Sequence, residues 1–187
     1  MFFVLDNGFA ILPFFFIPED TAAARTRKDG VKYLQWLQDG HIIGTPGDVT
    51  DYDFLYRFIM ETAEKYNIQI INYDRWNSSH LVNMLTEQNA PMTPFGQGFR
   101  SMAGPTKEFE RMALKGDIKH FNNPVFSWML QNVQIERNAD EQIKLSKKKS
   151  REKIDGPVAL MNAIGAWLSD TENDNNELPE GYELIFI

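Results

Sequence analysis

Ile68-Gln69-Ile70-Ile71-Asn72-Tyr73-Asp74 is the stretch that decides the fold. Its β-branched and aromatic residues, flanked by polar Asn67 and Asp74, predict a short buried strand. Arg75-Trp76-Asn77-Ser78-Ser79 reads as a polar loop. Beyond it, Leu81, Val82 and Leu85 mark a helix over 78–88. A strand feeding a helix is the repeating unit of an α/β domain, and ligand sites in open α/β sheets form at the carboxyl ends of strands. Asp74 stands at such an end. From position alone, a loop-capping role fits this aspartate equally well.

Working outward, strands and helices interleave without repeats, which predicts a mixed sheet flanked by helices. Residues 9–16 read as a strand, 19–28 as a helix after Pro18, and 31–37 as a short helix of core aromatics. Phe54, Leu55, Phe58, Ile59 and Ala63 give 51–66 a clear helical stripe. A strand is expected over 91–95, helices beginning at Pro105 and Pro124, and a hairpin pairing 133–136 with 143–145. Asp6-Asn7-Gly8 carries a hairpin-turn signature between two apolar runs, so Asp6 is a turn residue and not a metal ligand.

The second informative carboxylate lies in Ile154-Asp155-Gly156-Pro157-Val158-Ala159-Leu160. Asp155 suits an N-cap, Pro157 suits the first turn, and Leu160, Ala163, Ile164, Trp167 and Leu168 recur at helical spacing, so a helix is expected over 155–168. Ahead of it stand Lys147, Lys148, Lys149, Arg151 and Lys153. Residues 144–153 hold six cations against one anion, Glu152. Cations beside a fixed carboxylate suit a divalent metal and a phosphodiester, whereas a solvated loop explains the run equally well on charge alone.

Tyr73-Asp74-Arg75-Trp76-Asn77 and Lys153-Ile154-Asp155-Gly156 resemble the nuclease motifs of the large terminase subunit of tailed bacteriophages. The likeness extends, in order, through Leu12-Pro13-Phe14-Phe15-Phe16-Ile17-Pro18-Glu19-Asp20, Thr45-Pro46-Gly47-Asp48, Gln97-Gly98-Phe99, Pro105-Thr106-Lys107-Glu108 and His120-Phe121-Asn122-Asn123-Pro124-Val125. The resemblance implies an RNase H-like nuclease domain over 1–168 that cuts concatemeric double-stranded DNA with two Mg²⁺ or Mn²⁺ ions. Asp74 and Asp155 match the second and third family aspartates. Arg75 and the five cations named above become DNA contacts, with Gln97 and His120 as further site-lining residues. The family's opening strand, which bears the first aspartate, has no counterpart, so a two-metal site would be incomplete. The sheet position beside Asp74 is expected to be empty or filled by a foreign segment, with weak or no cleavage and a dimer as one way to cover the gap. No phosphate-cradling G-x-x-x-x-G-K-[ST] pattern is present in these residues, so they are not expected to include the ATPase half. The implied partners are DNA, the small terminase subunit and the portal protein, in the cytoplasm of a bacterial host. A catalytically impaired prophage remnant or a non-catalytic packaging module is the alternative.

Composition agrees with one folded domain. The chain has 187 residues, is 43% hydrophobic, carries a net charge of −7 and contains no cysteine. The absence of thiols excludes a disulfide framework and a thiolate metal site, leaving oxygen chemistry suited to Mg²⁺ or Mn²⁺. The apolar run over 2–16 is broken by Asp6, Asn7, Gly8 and Pro13, which argues against a membrane span or a signal peptide. Residues 169–187 are expected to form a polar, partly disordered tail. Its apolar end, Leu184-Ile185-Phe186-Ile187, could pack on the domain or on a partner.

Overall fold

The computed structural model describes residues 1–74, 79–173 and 184–186. The chain opens with an antiparallel hairpin of β1 (Phe2–Leu5) and β2 (Gly8–Ile11), turning at Asp6-Asn7 as expected. Gly8 has φ +121, and a Cβ on it would stand 2.4 Å from the Asp117 carbonyl oxygen. Glycine alone therefore lets the Phe9 N–H reach that oxygen, at 2.8 Å. The single strand expected over 9–16 is two. Pro13, which has no N–H for a ladder, falls between β2 and β3 (Phe16–Pro18).

β3 pairs in parallel with β4 (Ile43–Thr45), and α1 (Glu19–Asp29) and α2 (Tyr33–Gln38) lie between them in sequence. α3 (Tyr52–Lys65) is capped by Asp51, whose carboxylate accepts the Phe54 N–H at 2.8 Å. β5 (Ile68–Tyr73), α4 (Ser79–Glu87) and β6 (Met92–Pro94) follow as the sequence predicts.

α5 (Phe99–Lys115) starts ahead of its expected origin at Pro105, which instead lies buried inside the helix. An interior proline forgoes one helical hydrogen bond, but here its ring packs beside Gly165, where that apolar contact offsets the loss. Then come β7 (Ile118–Lys119), α6 (Pro124–Asn132), the hairpin β8 (Ile135–Arg137) and β9 (Ile143–Leu145), α7 (Asp155–Asn173) and β10 (Leu184–Phe186).

The main sheet has six strands in the order β6-β5-β10-β1-β2-β7. β10, from the carboxyl end of the chain, fills the position between β5 and β1. It runs parallel to β5 (Ile185 opposite Ile68) and antiparallel to β1 (Phe3 opposite Ile185). The slot beside the Asp74 strand, expected to be empty or filled by a foreign segment, is filled by a strand from the chain's own carboxyl end. The tail expected over 169–187 begins as helix, since α7 continues to Asn173, and its apolar end joins the sheet; the rest lies outside the described residues.

α7 covers one face of the sheet. Met161 and Ile164 are fully buried there, among Phe2, Ile11, Met102, Met112 and Phe126. Each such side chain contributes roughly 1.5–3 kcal/mol through removal from water. Phe3 and Ala10 point to the opposite face, beside Leu5 and Tyr66. A second cluster joins Ile17, Ala22, Tyr33 and Ile42 to Val125 and Met129 of α6. Trp167 packs on Phe2 and Phe9, while Gly156, Ala159 and Leu160 share a cleft with Met1 and Ile11. The amino end of α7 therefore lies at the end of the sheet where β5 terminates.

Candidate metal and DNA site

Two aspartates meet this end of the sheet from different elements. Asp74 follows β5 directly, and the ladder holds up to it, because the Phe95 N–H bonds the Tyr73 carbonyl at 2.8 Å. Side chains alternate along a strand, so Ile70 and Asn72 leave β5 on one side, the side that continued alternation would give Asp74. That side faces α7: Ile70 packs into the α7 core, and Asn72 Nδ2 donates to the Asn162 carbonyl at 2.9 Å. An apolar cleft of about 300 Å³ joins Leu81 of α4, the helix after Asp74, to Gly156, the residue after Asp155.

Asp155 is the first residue of α7 rather than a cap ahead of it. Its carboxylate is paired with Lys147 Nζ at 2.8 Å, and both side chains are 60% exposed. An ion pair this open to water contributes at most about 1 kcal/mol. Lys147 can therefore exchange a carboxylate for a phosphate at little cost. Lys147, Arg151, Glu152 and Lys153 surround a polar hollow against Asp155, and Lys148 and Lys149 are exposed on the same loop.

The loop has an ordered internal scaffold. Buried Ser146 accepts from the Ser150 N–H and hydroxyl through its carbonyl, and its own hydroxyl donates to Glu136 at 3.1 Å. The Ser150 hydroxyl in turn accepts the Gln134 N–H at 3.1 Å. Serines hold the backbone and lysines face solvent, which is how one short loop can be both shaped and cationic.

Gln97 joins the junction of β5 and α7: its Nε2 donates to Asn162 Oδ1 at 3.1 Å. Its carbonyl accepts from Lys144 Nζ at 3.4 Å, and that ammonium lies 5.0 Å from the centre of the Phe99 ring. His120 does not join it. It follows β7 at the far edge of the sheet, four strand spacings or roughly 19 Å from β5, and its ring lies 6.0 Å from that of Phe126. Its place in the sequence gave no sign that β7 adds beyond β2. Arg75 lies outside the described residues. Among the described residues no group of three or more His, Asp or Glu gathers to hold a metal. Sequence reasoning passed over Asn72 and Asn162. The available signal was an amide in the middle of an apolar run, at Ile71-Asn72 and Met161-Asn162-Ala163.

The model of the terminase large subunit endonuclease domain matches residues 2–171. The chain belongs to that family. Its relatives include the terminase large subunit of Enterobacteria phage HK97, 30% identical over 163 residues, which covers 86% of this chain and 32% of the relative. Protein YmfN of Escherichia coli (strain K12) is 28% identical over 186 residues, covering 93% of this chain and 40% of the relative. The chain thus spans well under half the length of either. The crystal structure of the HK97 large terminase superposes with a TM-score of 0.79 at 30% identity, covering 86% of this terminase nuclease domain and 34% of that chain. The large terminase nuclease of thermophilic phage G20c shares the fold at a TM-score of 0.51 and 16% identity, over 63% of each chain. The RNase H-like mixed α/β architecture read from the sequence is therefore that of the terminase nucleases. Among the described residues no helix is long and apolar enough to cross a membrane.

Proposed function

We propose that this terminase nuclease domain is a metal-dependent endonuclease that hydrolyses phosphodiester bonds of concatemeric double-stranded DNA during genome packaging. The end of β5 before Asp74 and the start of α7 at Asp155, both at one end of the sheet and beside a cationic loop, support this reading. Their oxygens suit a hydrated Mg²⁺ or Mn²⁺, since Mg²⁺ takes one or two carboxylates and keeps several waters. Two carboxylates fit one such ion better than two. A bound divalent ion would acidify a water and stabilise charge on the departing oxygen.

The chain's own side chains do the remaining work. Asp74 after the strand end and Asp155 at the helix start would hold and orient the ion. Lys147 leaves Asp155 for a DNA phosphate, while Lys148, Lys149, Arg151 and Lys153, with Arg75 after Asp74, neutralise neighbouring phosphates. Hydrolysis forms a bond from the water oxygen to phosphorus and breaks the bond to the 3′-oxygen, which takes up a proton. The small terminase subunit and the portal are the expected packaging partners, in the cytoplasm of the bacterial host.

Supercoiled plasmid incubated with the purified chain and Mn²⁺ tests the reading. Nicking that requires Mn²⁺ and is lost in Asp74→Ala and Asp155→Ala supports it; nicking untouched by either substitution overturns it. Salt-sensitive DNA binding without cleavage would instead favour the impaired prophage remnant or non-catalytic module. That alternative draws on the two-carboxylate donor set and on β10 holding the slot beside β5.

A further inference from the structure

The junction of β5 and α7 contains one polar atom that the fold leaves unused. Asn72 Oδ1 is buried and has no hydrogen-bond partner among the described residues. Its companion nitrogen is engaged, donating to the Asn162 carbonyl at 2.9 Å. Turning the amide over would set two carbonyl oxygens against each other, so the network fixes which atom points where. Leaving a buried acceptor unpaired costs roughly 1–3 kcal/mol, and a native site that does so calls for a ligand or a water.

Asn72 stands two residues before Asp74 on the same side of an extended chain, with about 6–7 Å between the two positions. Groups at that spacing can share an ion directly or through a water. Asn72 is tied back to Asn162 through Nδ2, which favours a water on an ion at Asp74 as the link. The anchoring is also unusually firm. Asn162 is 8% exposed, its carbonyl holds Asn72 and its side chain is held by Gln97 at 3.1 Å. Asn162 also lies seven residues, or about two helical turns, along the same face of α7 from Asp155. One network thus ties the Asp74 strand to the Asp155 helix while leaving a single buried acceptor without a partner among the described residues.

We infer that Asn72 is a positioning residue of the metal site, its Oδ1 accepting a hydrogen bond from a water on a divalent ion held by Asp74. This rests on the metal-dependent reading above. Partners at this remove from a metal typically change its affinity 10–100-fold. Neutral Asn72 adds orientation without adding charge.

Calorimetric titration of the metal-free chain with Mn²⁺ tests the inference without relying on cleavage. Asn72→Ala is expected to weaken Mn²⁺ binding about tenfold or more. Gln97→Ala, which loosens the network but spares the acceptor, should change it less. Asn72→Ser, short and still polar, stands in if the alanine variant does not fold. Unchanged Mn²⁺ affinity in folded Asn72 variants, with only a lower metal-free melting temperature, would make Asn72 a purely structural tie and overturn the inference. Asp74→Ala separates the two claims. If it abolishes binding while the Asn72 variants retain it, the metal site stands and the role of Asn72 falls. If wild type and Asp74→Ala bind alike, or wild type binds no Mn²⁺, both fall.

Discussion

The two walls of the site are built on opposite principles. At the junction of β5 and α7, neutral amides do the holding: Asn72, Asn162 and Gln97 lock strand to helix within a largely buried setting. At the loop over 146–155, charges dominate and remain in water, with the Lys147–Asp155 pair 60% exposed on both sides. Burying unpaired charge is costly, whereas a buried amide is stable once its hydrogen bonds are made. Geometry is therefore assigned to amides and attraction to lysines. A hydrogen-bonded core ties the strand before Asp74 to α7, and the proposed exchange of Asp155 for a phosphate at Lys147 rests on the exposure of that ion pair.

This contrast can be broken most decisively at its charged wall. Asp155→Ala should lower Mn²⁺-dependent nicking by on the order of 100-fold, since a metal supplies several kcal/mol of charge stabilisation. Lys147→Ala should lower it far less. Equal losses from the two, measured as initial nicking rates, would mean that the ion pair and not the carboxylate is what matters.

The buried wall should respond in stability. Ile164 is fully buried in α7, and Ile164→Ala is expected to cost about 2–5 kcal/mol in urea unfolding. Asp155→Ala should leave stability nearly unchanged. A loss below 1 kcal/mol for Ile164→Ala would show that α7 is not the helix that holds the sheet.

Lys148→Ala and Lys149→Ala sharpen the comparison further. Each should reduce the slope of log affinity against log salt by about one for duplex DNA, without changing sequence preference. A slope unaffected by both, read from fluorescence anisotropy over a salt series, would assign the loop to solvent alone.

A further effect is one of pH. The Met1 α-amino group donates to the Leu12 carbonyl at 2.7 Å, and burial lowers its pKa from 8.0 to about 5. The fold favours the neutral amine, while the unfolded chain protonates it below pH 8. This contribution to stability is fully present above pH 8 and is lost as the pH falls through 5. Urea unfolding at pH 8 and pH 6 should show the drop, and N-terminal acetylation should remove it.

Much of this protein was determined locally. The hairpin turn at Asp6-Asn7, the strand ending at Asp74 and the helix opening at Asp155 all follow from turn chemistry and side-chain period, which a chain carries in a few consecutive residues. That is why the positions of both aspartates, one after a strand and one at a helix start, were legible in the sequence. The helix boundary at Pro105 was not, because contact with Gly165 sixty residues later offsets the lost hydrogen bond. Nor was the distance of His120, which depends on β7 adding at the far edge of the sheet. The two features that shape the site are long-range as well. Asn72 meets Asn162 across ninety residues, and β10 returns from the carboxyl end to fill the slot between β5 and β1. An amide or a short apolar strand has many partners that would satisfy it equally in sequence. Only the packed sheet and α7 select one, by leaving a single place where its hydrogen bonds can be made.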